Sequence, residues 1–212
     1  MDIDFLWRFG KSLQNAYILL KDRGYIVDIV DDNFPNRPFE IVGSLYTQSI
    51  HNKKSLAENC RHTFAHPDGS KITLLVFDRN VDLIKNKSRM ISTDQVKAMQ
   101  EVIKTIEDRV LVVAPNKLSP QAKKEKLMGP NDEPVDIFIF DDLLIDLPRH
   151  EMVNKHTRID VSQLQKILGA TLNPSDLPQL PTSDPISRWY GFVKGQIVHV
   201  ENPVMPTFRI VV

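Results

Sequence analysis

The side chains best suited to chemistry lie between residues 60 and 66, where Cys60, His62 and His66 form a Cys-x-His-x-x-x-His cluster. Thiolate and imidazole are zinc ligands, but a closed structural site needs four, so a fourth such as His51 would have to come from elsewhere. The cluster runs along a strand-like segment into a turn, which sends its side chains in different directions. The expectation is one buried thiol, two surface histidines and no metal. His150 and His156 flank a polar connection, with no serine or cysteine nucleophile spaced to make a triad. In the acidic pairs Asp31-Asp32 and Asp141-Asp142 the neighbours diverge on a strand, so they read as turn caps rather than ligands for a hard cation. The sequence contains no Gly-x-Ser-x-Gly elbow, no Gly-x4-Gly-Lys phosphate loop and no Gly-x-Gly-x-x-Gly. Metal-dependent nucleases on small α/β domains use an acid-x-Lys triplet, which sets a ligand and a lysine on one strand face. No Asp or Glu here has a lysine two residues on. The reading is therefore no catalytic residue, no cofactor and no small-molecule ligand.

Composition narrows the remaining classes. The chain has 212 residues, 42% hydrophobic and 25% charged, which is ordinary for a folded protein of one large or two modest domains. Lys plus Arg and Asp plus Glu both total 27, so the formal net charge is zero. A protein that grips nucleic acid alone carries a basic excess, because phosphate neutralisation dominates that affinity. A local basic run spans Lys117 to Lys126, with Lys117, Lys123 and Lys124 as candidate nucleic-acid contacts; the plainer reading is a solvated helix face. The one cysteine allows no intrachain disulfide and favours a reducing compartment. The start, Met1 to Arg8, lacks the basic opening and apolar core of a signal peptide, and no apolar run reaches membrane-spanning length.

The elements that must position any site follow from periodicity and punctuation. Residues 3–22 read as an amphipathic helix on Leu6, Phe9, Leu13, Ala16 or Tyr17, and Leu20, stopped by Gly24. Tyr25 to Val30 reads as a strand, 31–38 as a loop and 39–58 as a helix. His62 to Ala65 and Lys71 to Phe77 flank His66-Pro67-Asp68-Gly69-Ser70 and predict a hairpin. Ser92 and Gln95 have capping-box spacing ahead of Val96, Met99, Ile103 and Ile106, predicting a helix over 92–107. Val110 to Ala114 and Val135 to Phe140 are β-rich runs. Between them Ser119-Pro120 predicts a short helix that Gly129-Pro130 ends. This alternation predicts an α/β domain with a partly parallel sheet.

The character changes near Asp141-Asp142, giving domains 1–142 and 143–212. In the second, Asp160 and Gln163 repeat the capping spacing before Val161, Leu164, Ile167 and Leu168, with Gly169 as the stop. Asn173 to Pro185 is an ordered proline-rich wrap, and 196–200 pairs with 207–212. The most specific stretch runs from Asp184 to Gly195. Asp184 caps and Pro185 has its φ preset for a first helical position. Arg188, Trp189 and Tyr190 then offer large anchors of the type that dominates interfaces, or fill a small core. Gly191 stops the turn, and Lys194-Gly195 makes a tight corner into the next strand.

This block, with Leu147-Pro148-Arg149-His150 and Leu177-Pro178-Gln179-Leu180 ahead of it and Arg209 behind, resembles the fifth shared subunit of the eukaryotic nuclear RNA polymerases. In archaea the C-terminal domain of that family stands alone as a small polymerase subunit. The family pattern is Pro-x-His, a helix, Leu-Pro-Arg-Ile, then Asp-Pro-Val-Ala-Arg-Tyr-x-Gly, a basic residue and Gly-Gln-Val-Val, closing on a strand ending in Tyr-Arg. Asp22-Arg23-Gly24-Tyr25 and Leu118 to Lys123 carry weaker echoes. Gln179 replaces the usual Arg, Phe208 replaces Tyr, and Glu201 to Pro206 is shorter than its family counterpart.

The resemblance implies a jaw-like α/β domain related to nuclease folds but without the active site, followed by a small α+β assembly domain. It implies a non-catalytic subunit of a DNA-dependent RNA polymerase, docked on the largest subunit, with downstream DNA and the other subunits as partners. His150, Leu177, Pro178, Asp184, Pro185, Arg188, Trp189, Tyr190, Gly191, Lys194, Gly195 and Arg209 are the implied docking residues. The departures imply a divergent member, cellular and nuclear or encoded by a large DNA virus. A nuclease-like or stand-alone DNA-binding protein is the alternative.

Overall fold

The computed structural model describes residues 3–28, 40, 42–45, 51, 61–77, 90–168, 173–202 and 204–212. The chain divides into two compact units, Met1–Leu144 and Ile145–Val212.

In the first unit, α1 (Ile3–Asp22) is more deeply enclosed than an amphipathic stripe requires, since every residue from Ser12 to Leu20 is buried. Two of its buried polar side chains donate to the turn at 140–143. Ser12 Oγ donates to the Phe140 carbonyl at 3.1 Å, and Asn15 Nδ2 donates to the Leu143 carbonyl at 2.7 Å. Both acceptors belong to a 3-10 turn over Phe140–Leu143 that closes the unit. Arg8 bonds Asp141 on the same turn, and the rings of Phe5, Phe9 and Phe140 cluster beside it. The helix ends at Gly24 in a paired return: Tyr25 N–H donates to the Leu20 carbonyl and Gly24 N–H to the Lys21 carbonyl.

The strand expected at Tyr25 is not formed over Tyr25 to Asp28. Tyr25 and Val27 are buried and Ile26 is exposed, which is strand-like alternation, but among the described residues the one backbone bond from the segment to a strand runs from Ile26 N–H to the Ala65 carbonyl. Of the helix expected over 39–58, residues 42–45 are helical and bury Val42 and Leu45. Residues 29–39, 46–50 and 52–60, including Asp31, Asp32 and Cys60, lie outside the described residues.

The hairpin is β1 (His62–Ala65) and β2 (Lys71–Val76), antiparallel with Ala65 opposite Lys71. Its turn is held by Asp68, whose carboxylate accepts from Ser70 N–H at 2.8 Å. The Ser70 hydroxyl, that N–H and then His66 hold the exposed carboxyl down to about 2. A lowered folded-state value means the contribution is complete above the ordinary aspartate range, near ~4, and fades as pH falls through about 2. An NMR titration of the Asp68 carboxyl carbon should therefore give a midpoint near 2, and Asp68→Asn should abolish the pH dependence of the turn amides.

The sheet has order β1-β2-β3-β4, with β3 (Arg109–Ala114) and β4 (Asp136–Ile139). β2 runs parallel to β3 and β3 parallel to β4. Apart from their first residues, β2 and β3 are buried without a break, as strands covered on both faces must be. One face, including Leu75, Val110, Val112 and Ala114, packs on α2 (Thr93–Ile103) through Val96, Met99 and Ile103. The alternate residues Leu111 and Val113 are fully buried on the other face, where β3 meets α1.

The Ser92–Gln95 capping box forms with both halves present. The helix stops at Ile103 rather than 107, and Ile106 is buried from non-helical backbone. After β3 the expected helix is a single 3-10 turn, Ala122–Lys124, with Ser119 Oγ accepting from Ala122 N–H. Gly129-Pro130 does not end it but opens a separate 3-10 turn, Pro130–Asp132. Only Ala122 and Leu127 are buried between Ser119 and Gly129, too few for a longer amphipathic face.

The second unit is built on a four-stranded sheet of order β5-β7-β8-β6: β5 (Lys155–Ile159), β6 (Gln179–Leu180), β7 (Ile197–Glu201) and β8 (Thr207–Val211). α3 (Val161–Leu168) covers one face. Leu164 packs there with Leu177, Ile197, Phe208, Ile159 and Ile210. Of the expected helical stripe only Leu164 is buried, because Val161, Ile167 and Leu168 overhang the small sheet. The reciprocal half of its cap forms, Gln163 Oε1 accepting from Asp160 N–H, while Gly169 lies outside the described residues. The other face buries Leu180, Val198, Val200 and Val211, with Phe192 against them. The unit has a second helix, α4 (Pro185–Tyr190).

Candidate docking site

The Asp184–Gly195 block folds by local rules. Asp184 Oδ1 accepts from Ile186 N–H at 2.8 Å, Pro185 takes the first helical position, and α4 runs to Tyr190. Gly191 ends it with φ 66° and ψ 35°, a left-handed conformation that a β-carbon penalises. Phe192 N–H returns to the Ser187 carbonyl and Gly191 N–H to the Arg188 carbonyl, so the last helical carbonyls are satisfied. Tyr190 and Phe192 then stack, ring centroids 5.2 Å apart. The corner that follows is a β-turn closed by Gln196 N–H on the Val193 carbonyl, with Gly195 at φ 88°, the third position where a type II turn needs glycine. Gln196 Oε1 also accepts from Val193 N–H, and Gly195 N–H donates to the Val211 carbonyl, which ties the corner to β8.

This geometry sorts the residues expected to dock. Trp189 is 1% exposed and Leu177 8%, so both are core, and neither offers its side chain to a partner. A helix of six residues has one inward face, and Ile186, Ser187 and Trp189 occupy it. Arg188, Tyr190 and Asp184 are half-buried, while Pro178, Pro185, Lys194 and Gly195 are exposed. His150 is exposed too, its Nδ1 accepting from Met152 N–H at 3.2 Å after the 3-10 turn Leu147–Arg149. Arg209 is exposed on β8 and reaches the Gln179 carbonyl at 3.5 Å. His156, half-buried beside it, has its Nδ1 2.7 Å from the Asn154 carbonyl. Loss of water lowers its pKa, outweighing the Asn154 carbonyl and Asp184, which raise it; nearby Arg209 lowers it further.

Sequence reasoning passes over β5, whose Lys-His-Thr-Arg-Ile has a single aliphatic residue. The signal is the alternation of Thr157 and Ile159 beside the more evident 196–200 strand. In the first unit Lys117, Lys123 and Lys124 are exposed, the last two on the 3-10 turn. His62 packs near Tyr17 and Phe64, His66 against Tyr25 and Asp68, and His51 is exposed. Among the described residues no group of three or more His, Cys, Asp or Glu side chains converges as a metal site. Asp141 is engaged by Arg8, and Asp142 accepts from Ile139 N–H, so this acidic pair caps a turn.

The second unit is thus a small sheet with α3 on one face, joined to a capped Asp-Pro helix and a Lys-Gly corner. Residues 145–212 match the family model described as RNA polymerase Rpb5, C-terminal domain. Similarity then extends over nearly the whole chain. The DNA-directed RNA polymerases I, II and III subunit rpabc1 of Dictyostelium discoideum is 22% identical over 95% of this chain and 92% of its own length. The corresponding RPABC1 of Caenorhabditis elegans is 24% identical over 93% and 89%. DNA-directed RNA polymerase subunit 5-like protein 1 of Arabidopsis thaliana is 23% identical over 94% and 90%. Residues 145–212 are thus similar to the Rpb5 C-terminal domain, and the chain as a whole is similar, at low identity, to proteins named as polymerase subunit 5.

Proposed function

We propose that this chain is a non-catalytic subunit of a multi-subunit DNA-dependent RNA polymerase, docked on the largest subunit through residues 145–212. The observation that carries the reading is the Asp184–Gly195 block, folded as a rigid capped helix and corner within the region that the Rpb5 C-terminal model matches. Its exposed and half-buried groups, Pro185, Arg188, Tyr190, Lys194, and Arg209 nearby, are the docking surface, and Trp189 is the support beneath it.

In this reading the first unit is the jaw, a nuclease-related α/β domain without an active site, held near downstream DNA. Its contact with DNA is electrostatic, through Lys117, Lys123 and Lys124. It is weak in isolation because the whole chain carries no net charge. Affinity purification of the tagged chain from its native source should recover the catalytic polymerase subunits. Recovery of the chain alone, or with unrelated proteins, overturns the reading. The isolated chain should neither cut DNA with Mg²⁺ or Mn²⁺ nor bind it tightly at physiological salt.

A further inference from the structure

The second unit has two sheet edges of very different kind. β6 is only two residues long and offers little template. β5 is five residues, about 17 Å of strand, and pairs with β7 along its whole length from Lys155–Glu201 to Ile159–Ile197. Among the described residues no backbone group bonds its outer edge. Lys155, Thr157 and Arg158 are exposed, and neither a proline nor a bulge interrupts the strand. An edge of this length is a template for another strand unless something blocks it.

Charge decides which strand it accepts. Lys155 is engaged by Glu201 at 2.8 Å. Arg158 has no partner among the described residues. The register puts Arg158 opposite Val198 and Val198 opposite Arg209, so the two exposed guanidinium groups stand on one face of the sheet with fully buried Val198 between them. A second copy is a poor occupant. Antiparallel pairing of two β5 edges about Thr157 brings two Lys155 and two Arg158 side chains onto two short strands, and close like charges across a pair destabilise it. An extended segment with carboxylates opposite Arg158 gains backbone bonds and charge-assisted bonds together.

We infer that β5 is a docking edge that takes an extended acidic segment of another polymerase subunit as a fifth strand, with Arg158 selecting the acidic residue. This rests on the polymerase reading above and names the chemistry of its contact.

Hydrogen exchange of the full chain, free and within purified polymerase, tests it. In the complex the outward-facing amides of Lys155–Ile159 should exchange at least tenfold more slowly. Arg158→Glu, at an exposed position, should leave the free protein folded and weaken its retention in the polymerase by about tenfold, as a misplaced charge at a contact does. Arg158→Lys should retain most of the binding. Unchanged β5 amides in a polymerase that contains the chain overturn the inference and leave the polymerase reading standing, because Lys155 and Arg158 would then serve only to keep the edge unpaired. Protection of β5 in the concentrated free chain points to self-pairing and also overturns it. Failure to recover the chain with polymerase overturns both.

Discussion

Trp189→Ala should unfold residues 145–212 while the first unit keeps its structure. Trp189 is the largest of the fully buried side chains among the described residues. Removing a buried tryptophan costs about 3–5 kcal/mol in lost transfer energy and cavity formation. The unit has little to set against that. Its two sheet faces bury Leu164, Leu177, Ile197 and Phe208 on one side and Leu180, Val198, Val200 and Val211 on the other. Small domains are stable by roughly 5 kcal/mol, so the loss is comparable to the whole. Two-dimensional NMR should show the resonances of residues 145–212 collapsing to random-coil positions while those of the β2–β3–β4 sheet persist. Native dispersion in the second unit would refute the assignment of Trp189 as its keystone. A polymerase-binding defect in such a variant would then report on folding. Pro185→Ala and Arg209→Ala, which touch exposed groups, are the variants that report on contact.

The second large effect is expected at Phe140. Its ring is 1% exposed and lies 6.0 Å from Phe5 and 5.9 Å from Phe9. Phe140→Ala should cost about 3–5 kcal/mol. The loss extends beyond the cavity, since the 3-10 turn that carries Phe140 also supplies the carbonyls that Ser12 and Asn15 need. Polar side chains buried without acceptors add their own penalty. For a unit of this size the thermal midpoint should fall by roughly 10 °C. The second unit, with its own core, should melt where it does in the unaltered chain. A fall of only a degree or two would mean that α1 is held by its aliphatic residues alone.

These cases show what the sequence can and cannot declare. The Ser92–Gln95 box, the His66–Ser70 turn and the Asp184–Gly191 helix are legible because each is decided by neighbours within a few residues. Pairing is another matter. Tyr25 to Asp28 has strand composition and strand alternation, yet a strand exists only where a ladder forms, and a single bond to Ala65 is not one. β5 shows the reverse. Lys155 to Arg158 have little strand propensity, but β7 supplies a complete antiparallel partner. The Asp184–Gly195 block is visible as a motif, and its cap and corner follow from the residue types alone. The direction of Trp189 does not, because a six-residue helix can bury either of two adjacent aromatic residues, and only its tertiary surroundings decide.

The bonds from Ser12 to Phe140 and from Asn15 to Leu143 also bear on how the chain is made. Each spans 128 positions. On a ribosome adding roughly 5–20 residues per second, α1 emerges before its acceptors, which follow on the order of ten seconds later. For that interval Ser12 and Asn15, both buried in the finished protein, lack the carbonyls they bond to. The first unit is therefore closed by its own last turn, and the nascent α1 is a natural client for chaperones until residue 143 emerges.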